Sequence, residues 1–586
     1  MKSHLHPARP TLVALAVLTA LAVSPLAARA DQAASIEAAR QTTLSLIEVL
    51  VESGVLTRDK ADAILKQAEQ RAAQAVASRA PAAPSTATPP SAETVAGAPG
   101  ARPVIRVPYL SDAARAQLRN EVREEVLAQA RQERWGVPNA PSWIDRVRIE
   151  GDIRYRFQKD RPSSDNTSAD TYVASLFNGT GGLTRAADFM AYRAVQIDGT
   201  DYAIASGNTQ DARSRERLRA RLGVSAKVSD EVGVGIRLAT GNATDRVSTN
   251  QTLGQDFNKY QVFFDRAFLR LDPSEYFTLQ AGRIPNPWFS TEMVWSENLN
   301  FEGVAATARW FSEDRATVPF ATVGWFPLRE QRPGERPGRA LVGAQVGAQF
   351  EPTSRTRVKL GLAYYRYQNL EGREDTGYYT ETGGGSVADP LVYGRYEYGS
   401  SLRQRGNTLF QTNPADLTPV WGLAYKFEPV VLTGSAEFQH FAPFSLQVSA
   451  EYARNLGFDE ADFRRRAGAA FASTSPGGRD DGYMLKATFG WPALQELGQW
   501  QFALSYRHVG SDAVLDAFTD SDLGLGGTNL EGYTAAFNLG VARQTTLGIR
   551  YLAGRTIDSP LNNLTDAYRK AKYQVNTLQV DLNVRF

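Results

Sequence analysis

From Val147 to Phe586 apolar and polar side chains alternate with a period of two, the pattern of strands whose two faces meet different surroundings. In Val147 to Phe157 one face carries Val147, Ile149, Gly151, Ile153, Tyr155 and Phe157, and the other Arg148, Glu150, Asp152, Arg154 and Arg156. In Arg217 to Val228 the residues Leu218, Ala220, Leu222, Val224, Ala226 and Val228 oppose Arg217, Arg219, Arg221, Ser225 and Lys227. Leu578, Val580, Leu582, Val584 and Phe586 likewise oppose Thr577, Gln579, Asp581, Asn583 and Arg585, and Trp500, Phe502, Leu504 and Tyr506 form one more apolar face.

These runs are about ten residues long, whereas strands of soluble domains average about five to six. Ten tilted residues cross a bilayer. An open sheet in lipid leaves edge amides and carbonyls unpaired at several kcal/mol each, so spanning strands must close into a barrel. Arg or Lys at the bilayer midplane costs roughly 2–4 kcal/mol, which turns the Arg217, Arg219 and Arg221 face inward and the apolar face toward lipid. The expected fold is therefore an all-β transmembrane antiparallel β-barrel over 147–586, with Trp310, Trp491, Trp500 and Tyr551 as interfacial aromatics.

Tight turns are expected at Ser229-Asp230-Glu231, Asp272-Pro273-Ser274, Ser312-Glu313-Asp314, Glu351-Pro352-Thr353, Ala442-Pro443 and Val541 to Gln544, with a longer turn from Pro492 to Gly498. Long segments lie between them, near 158–216, 241–261, 284–301, 327–339, 368–417, 455–480, 509–530 and 555–573. Tight turns are expected on the periplasmic side and long loops outside. The count is sixteen strands if Trp421 to Phe438 is one bulged strand, and eighteen if Val392 to Tyr398 and Trp421 to Phe427 span separately. The segments 158–216 and 368–417, which mix Tyr, Gly and charge, are the candidates for an inward-folded constriction, the alternative being loops that stay outside.

Ahead of the barrel the pattern changes. Residues 1–30 hold Lys2 and Arg9, an apolar run from Leu12 to Leu26, and Ala28-Arg29-Ala30, the layout of a secretory signal peptide cleaved before Asp31. Residues 31–79 read as a helical hairpin, with Leu44, Ile47, Leu50 and Val51 at helical spacing, a break at Gly54, an N-cap at Thr57, and Ile64, Leu65 and Ala68 repeating the pattern. Residues 80–103 are a Pro/Ala-rich linker. Residues 104–146 contain an amphipathic α-helical stretch, Ser111 to Arg134, whose narrow stripe of Ala114, Leu118, Val122, Val126 and Ala130 suits self-association, docking on the barrel end or a solvated spacer. The whole 31–146 segment is expected in the periplasm.

The formal charge of +2 overstates basicity, because the leader holds three basic and no acidic residues and leaves 62 basic against 63 acidic. No bulk attraction to nucleic acid follows. With no cysteine, and only His440 and His508 beyond the leader, thiolate chemistry and a histidine-rich metal centre are not expected. A Ser-His hydrolase finds few histidines to use, so no enzyme activity, metal or cofactor is expected. Asp480-Asp481 and Asp520-Ser521-Asp522 offer oxygen ligands of the kind calcium takes, but match no specific calcium loop. Gly524, Gly526 and Gly527 precede no dinucleotide-type helix.

The chain resembles the bacterial family called putative porins. The resemblance rests on Gly151-Asp152-Ile153-Arg154-Tyr155-Arg156, Arg237-Leu238-Ala239-Thr240-Gly241, Asn250-Gln251-Thr252-Leu253, Gly282-Arg283-Ile284-Pro285-Asn286-Pro287-Trp288, and Asp520 to Asn529 running on to Gly532-Tyr533. Leu50 to Thr57 is similar to that family's N-terminal helical segment. The resemblance implies a passive, homotrimeric channel in the outer-membrane lipid, of undefined substrate, and brings no family-wide set of functional residues. The terminal Phe586 resembles the signal read by the barrel-assembly machinery of outer-membrane proteins.

In such a channel the inward positions are the functional surface. The expected pore-lining set is Arg148, Glu150, Asp152, Arg154, Arg156, Arg217, Arg219, Arg221, Arg237, Arg266, Arg270, Arg309 and Lys359. Its basic excess points to a mild preference for anions among small hydrophilic solutes, since Arg presents planar donors to carboxylate and phosphate. The alternative is that these charges pair across strands with Asp and Glu and only keep the wall wet. Two other functions compete. An energy-coupled transporter needs a folded plug and about twenty-two strands, which the helices and linker before residue 147 do not supply. An outer-membrane anchor to the cell wall, or an adhesin without channel activity, remains compatible with the N-terminal helices.

Overall fold

In the computed structural model, residues 146–586 are described apart from 178–181, 313–315, 332–336, 377–392, 414–418 and 562–565. The chain divides into units 1–141 and 142–586, and everything below concerns the second. The signal peptide, helical hairpin, linker and amphipathic helix read from the sequence lie outside the described residues, as does most of the expected turn Ser312-Glu313-Asp314.

Sixteen strands form one antiparallel sheet in which each pairs with the next in sequence. They are β1 (Val147–Pro162), β2 (Arg213–Lys227), β3 (Val232–Thr240), β4 (Val262–Ser274), β5 (Phe277–Pro285), β6 (Asn300–Arg309), β7 (Thr317–Arg329), β8 (Arg339–Thr353), β9 (Thr356–Gln368), β10 (Pro429–Phe441), β11 (Phe444–Asn455), β12 (Asp481–Gly490), β13 (Trp500–Val509), β14 (Leu530–Ala542), β15 (Thr545–Thr556) and β16 (Gln574–Arg585). β1 pairs with β2 along one edge and with β16 along the other, which closes the sheet on itself. The seventeenth member of the sheet is the two-residue Gln251–Thr252, paired with β2.

Closure is sealed by the last residue. Gly151 N–H donates to the Phe586 carbonyl at 2.9 Å, and Phe586 N–H donates to the Gly151 carbonyl at 3.1 Å. The Phe586 ring fills the space a side chain at residue 151 would need, since a Cβ there would lie 2.5 Å from Phe586 Cζ.

The period-two pattern sorts as its chemistry requires. Large apolar side chains stand exposed on the outer face of strand after strand, among them Ile153, Leu222, Ile236, Phe264, Val346, Leu362, Leu432, Leu485, Leu504, Ile549 and Leu582. Such an exterior suits hydrocarbon and would be an aggregation surface in water. Asp152, Arg156, Gln158, Arg219, Thr322, Gln345, Glu451, Arg507, Thr577 and Gln579 are buried and polar on the strands. Trp310 and Tyr551 are exposed on the outer face, and Trp491 and Trp500 pack with Phe444 at the turn end.

Two details differ from the sequence reading. Trp421 to Phe438 is not one strand: β10 starts at Pro429, and Trp421–Leu423 belongs to a separate three-stranded sheet with Leu409–Gln411 and Leu183–Thr184 at the long-loop end. The apolar phase shift between Phe427 and Leu432 marks that boundary rather than a bulge. Two turns also sit later than expected, because β4 and β8 run on through Asp272-Pro273-Ser274 and Glu351-Pro352-Thr353.

Leu504 and Ser505 are adjacent on β13 and point to opposite faces, Leu504 being exposed to the outside and Ser505 lining an interior cavity. Leu504→Arg is expected to destabilise the lipid-embedded barrel by about 2–4 kcal/mol, while Ser505→Arg leaves it folded. Heat-modifiable gel mobility of the two variants after refolding into vesicles checks this; equal loss in both would contradict the face assignment.

Candidate functional site

The inner face of β1 to β4 is an arginine wall. Register places Arg154 opposite Arg219 and Asn583, and Arg156 opposite Arg217 and Asp581. Like charges directly opposite repel, so this arrangement persists only with counterions. Asp152 accepts from Arg219 at 2.6 and 2.9 Å and from Arg221 at 2.6 Å. Asp581 accepts both Nε and Nη2 of Arg156, at 2.7 and 2.8 Å, and that guanidinium's side chain is only 2% exposed. Asp265 takes Arg237 Nε at 2.7 Å.

A further counterion comes from the segment between β13 and β14. Asp522 accepts from Arg550 Nη1 at 2.9 Å, Gln579 Nε2 at 3.1 Å and Arg156 Nη1 at 3.3 Å. Burial alone would raise its carboxyl, but Arg156 and Arg550 outweigh burial and hold it far below the usual carboxylate range.

Three arginines have no such partner. Arg154 Nη2 meets the Asn250 amide oxygen at 2.5 Å, Arg266 Nε that of Asn300 at 2.7 Å, and Arg217 Nη1 that of Gln158 at 3.5 Å. Among the described residues no carboxylate forms an ion pair with any of them. Each is held by a neutral amide and makes no direct ion pair.

The wall borders a cavity of about 870 Å³ lined by nine Arg and Lys side chains and five carboxylates. Further round the wall, on β12 to β15, the lining includes Thr488, Ser505, Thr534, Asn538 and Thr546 beside Lys486 and Arg550. Six of the nine cations stand on β1 to β4.

The segment joining β5 to β6 crosses the interior. Trp288 lies over Gly324 and Gly343, where a Cβ at residue 343 would come within 2.8 Å of the indole. Phe289 and Gln345 exchange hydrogen bonds, N–H to Oε1 at 2.8 Å and Nε2 to carbonyl at 2.7 Å. Beyond them Thr291 donates from N–H at 2.9 Å and from its hydroxyl at 2.5 Å to Glu451 on β11, and Glu292 pairs with Lys486 on β12 at 3.0 Å. A segment rooted between β5 and β6 reaches β11 and β12 only through the lumen. Met293 and Trp295 are buried there, and Ser296 N–H donates to the Phe518 carbonyl at 2.8 Å, linking this segment to the one between β13 and β14.

The expected constriction segments were 158–216 and 368–417. Parts of both are buried at the long-loop end, as Tyr172, Met190, Tyr398 and Leu409 show, but it is 286–299 that spans the barrel. Its density of Trp288, Phe289, Met293, Val294 and Trp295 is the signal that could have found it, because a solvated loop has no use for so much apolar surface.

Of the expected pore-lining residues, Arg154, Arg156, Arg219, Arg221, Arg237 and Arg266 border the large cavity. Asp152 sits behind them as counterion, and Arg217 is tethered to Gln158. Arg309 and Lys359 border a different, smaller cavity. Arg148 and Glu150 stand at the turn end, 3.8 Å apart and 79% and 58% exposed, and Arg270 pairs with Asp272 at 2.6 Å near its turn. These last three are apart from both cavities. The sequence reading missed Arg550, Asp522 and Asp581. Arg550 and Asp581 do alternate with apolar neighbours, whereas nothing local marks Asp522, a loop residue, as a lumen counterion. Asp520 likewise serves Arg507, at 3.0 Å.

A closed barrel with an apolar exterior and a charged, loop-crossed interior defines a channel protein of the outer membrane. The chain matches the family described as Putative porin over residues 40–586 and belongs to it. Among solved structures it is similar to the outer-membrane channel DcaP of Acinetobacter baumannii, with 10% identity, 75% of this chain and 97% of that chain covered and a TM-score of 0.36. It is similar to Salmonella typhi OmpF, solved in complex with daunomycin, at 9% identity, 75% and 97% coverage and a TM-score of 0.36. For Pseudomonas putida OprB the figures are 8%, 78%, 97% and 0.41. No curated protein matches the chain.

Two outcomes follow from the loop contacts. Glu451→Ala removes the acceptor of Thr291 and should free the crossing segment, raising single-channel conductance in planar bilayers; unchanged conductance would mean the segment is held without it. Asp516, between β13 and β14, accepts from the Tyr398 hydroxyl, and burial pushes its carboxyl up to about 7, with Asp188 adding to the rise and Arg403 opposing it. A raised carboxyl means the folded state holds the extra proton, so its contribution is complete below the unfolded value of about 4 and is lost as pH rises through about 7. Thermal stability should fall across that window, and Asp516→Asn should flatten the slope.

Proposed function

We propose that the barrel is a passive diffusion channel for small hydrophilic solutes with a preference for anions, and that it moves solutes without converting them. The observation that carries this reading is the cationic surplus of the arginine wall, centred on Arg154, Arg217 and Arg266, whose partners are neutral amides. Tenfold discrimination needs only about 1.4 kcal/mol. A unit charge acts with about 4 kcal/mol at 4 Å where the effective dielectric constant is 20. A guanidinium beside the path that is held by an amide and makes no direct ion pair, such as Arg154 or Arg266, is therefore enough to bias it.

In this reading the tight turns face the periplasm with residues 31–146, and the long loops face outward. Phe586, which seals the barrel seam, is the residue offered to the assembly machinery. The protein works as a homotrimer, a reading supported by the paired strands Tyr192–Ile197 and Thr200–Ala205, which leave Tyr192, Ile197, Tyr202 and Ile204 exposed on a loop.

Reversal potentials across a salt gradient test the preference. The wild-type channel should be anion-selective, and Arg154→Gln should lower selectivity while the barrel still folds, because Arg154 pairs with no carboxylate. Cation selectivity of the pure wild-type channel would overturn the proposal. Arg219→Glu is a harsher variant, since it sets a new carboxylate against Asp152.

A further inference from the structure

At the turn end of the lumen, separate in its lining from the arginine cavity, lies a pocket of about 280 Å³ between β6, β7, β8 and β9, roofed by Pro287 to Ser290 of the crossing segment. Among the described residues its lining holds two cations, Arg309 and Lys359, and no carboxylate. Lys359 Nζ lies 4.4 Å from the Phe289 ring centroid and 4.9 Å from that of Phe320. Among the described residues it has no hydrogen bond or ion pair, so its three N–H donors are answered only by π faces. Such faces stabilise a cation less than a carboxylate does. Arg309 has one long contact, Nη1 to the Thr278 hydroxyl at 3.4 Å.

A second observation points to a missing ligand. The indole N–H of Trp288, a residue 5% exposed and part of the same lining, is buried without an acceptor. A buried donor left unmatched costs about 1–3 kcal/mol. The rest of the lining mixes apolar Pro287, Phe289, Val318 and Phe320 with neutral Ser, Thr and Gln side chains. Two cations and an orphan donor sharing one lining with apolar side chains suit one carboxylate attached to one flat apolar group. The volume falls just below the about 300–1,000 Å³ typical of small-molecule sites, as suits a small ligand.

We propose that this pocket is a binding site for small aromatic monocarboxylates, the carboxylate held by Lys359 and Arg309 and the ring laid against Phe320 and its apolar neighbours. The site rests on the channel reading for access and names a solute class for it, but it does not use the arginine wall.

The test uses the full-length protein with sodium benzoate as probe, by calorimetry in detergent and by current block in planar bilayers. Benzoate should bind saturably and block, with acetate and benzyl alcohol each about tenfold weaker or more, because each lacks one half of the match. Lys359→Gln should weaken benzoate by about tenfold or more while leaving gel mobility folded. Phe320→Leu, which keeps an apolar residue and both cations, should lower the preference for benzoate over acetate. Arg154→Gln should leave benzoate binding intact. Acetate binding as well as benzoate, or benzoate binding unchanged in Lys359→Gln, would overturn the site. Benzoate binding to a channel that lacks anion selectivity would overturn the wall reading and leave the pocket standing.

Discussion

A lipid bilayer offers backbone amides and carbonyls no hydrogen-bond partner, and each group left unpaired there costs several kcal/mol. The sixteen strands meet that demand by pairing each with its neighbour and returning β16 to β1, so that no spanning edge is left open. The seam of paired residues from Asp152 to Pro162 is extended by Phe586, whose backbone continues the ladder to Gly151 and whose ring occupies the room that glycine leaves. Once the sheet closes, every second side chain is committed to hydrocarbon and the remainder to an interior that must absorb all the charge.

That commitment explains the density of ionised groups inside. Arginines stacked opposite one another on β1 and β2 are tolerable because Asp152 on β1 takes Arg219 and Arg221, Asp581 on β16 stands in register with Arg156, and Asp522 arrives from a loop. Pairing is incomplete by design of the register: Arg154, Arg217 and Arg266 reach amides, which hold a guanidinium in place without cancelling it. Orientation and surplus charge are thereby separated. A wall built wholly of ion pairs would be as wet and as rigid, and would not discriminate by sign.

The interior is also narrowed, and glycine makes this possible. Gly324 and Gly343, neighbours across β7 and β8, leave a bare patch of wall on which Trp288 lies, and Phe289 is then locked by its two bonds with Gln345. With its root fixed, the segment reaches Glu451 and Lys486 on the far side. The same docking creates the roof over Lys359, so the constriction and the small cationic pocket have one structural cause.

The alternation of side chains by itself determined that the chain forms long strands, which face each presents, and that arginines line the inside, because the period is local and the membrane decides the faces. It also set the alternating stretch from Val147 onward apart from the differently patterned, partly Pro/Ala-rich sequence before it. Strand number, the identity of the crossing segment and the pairing state of each arginine were decided only by the tertiary structure. Asp581 answers Arg156 from 425 residues away and Asp522 from 366, distances across which only closure of the sheet sets who meets whom. The neutral partners of Arg154 and Arg266, and the orphan indole beside Lys359, likewise arise from register and loop packing, which no window of the sequence contains.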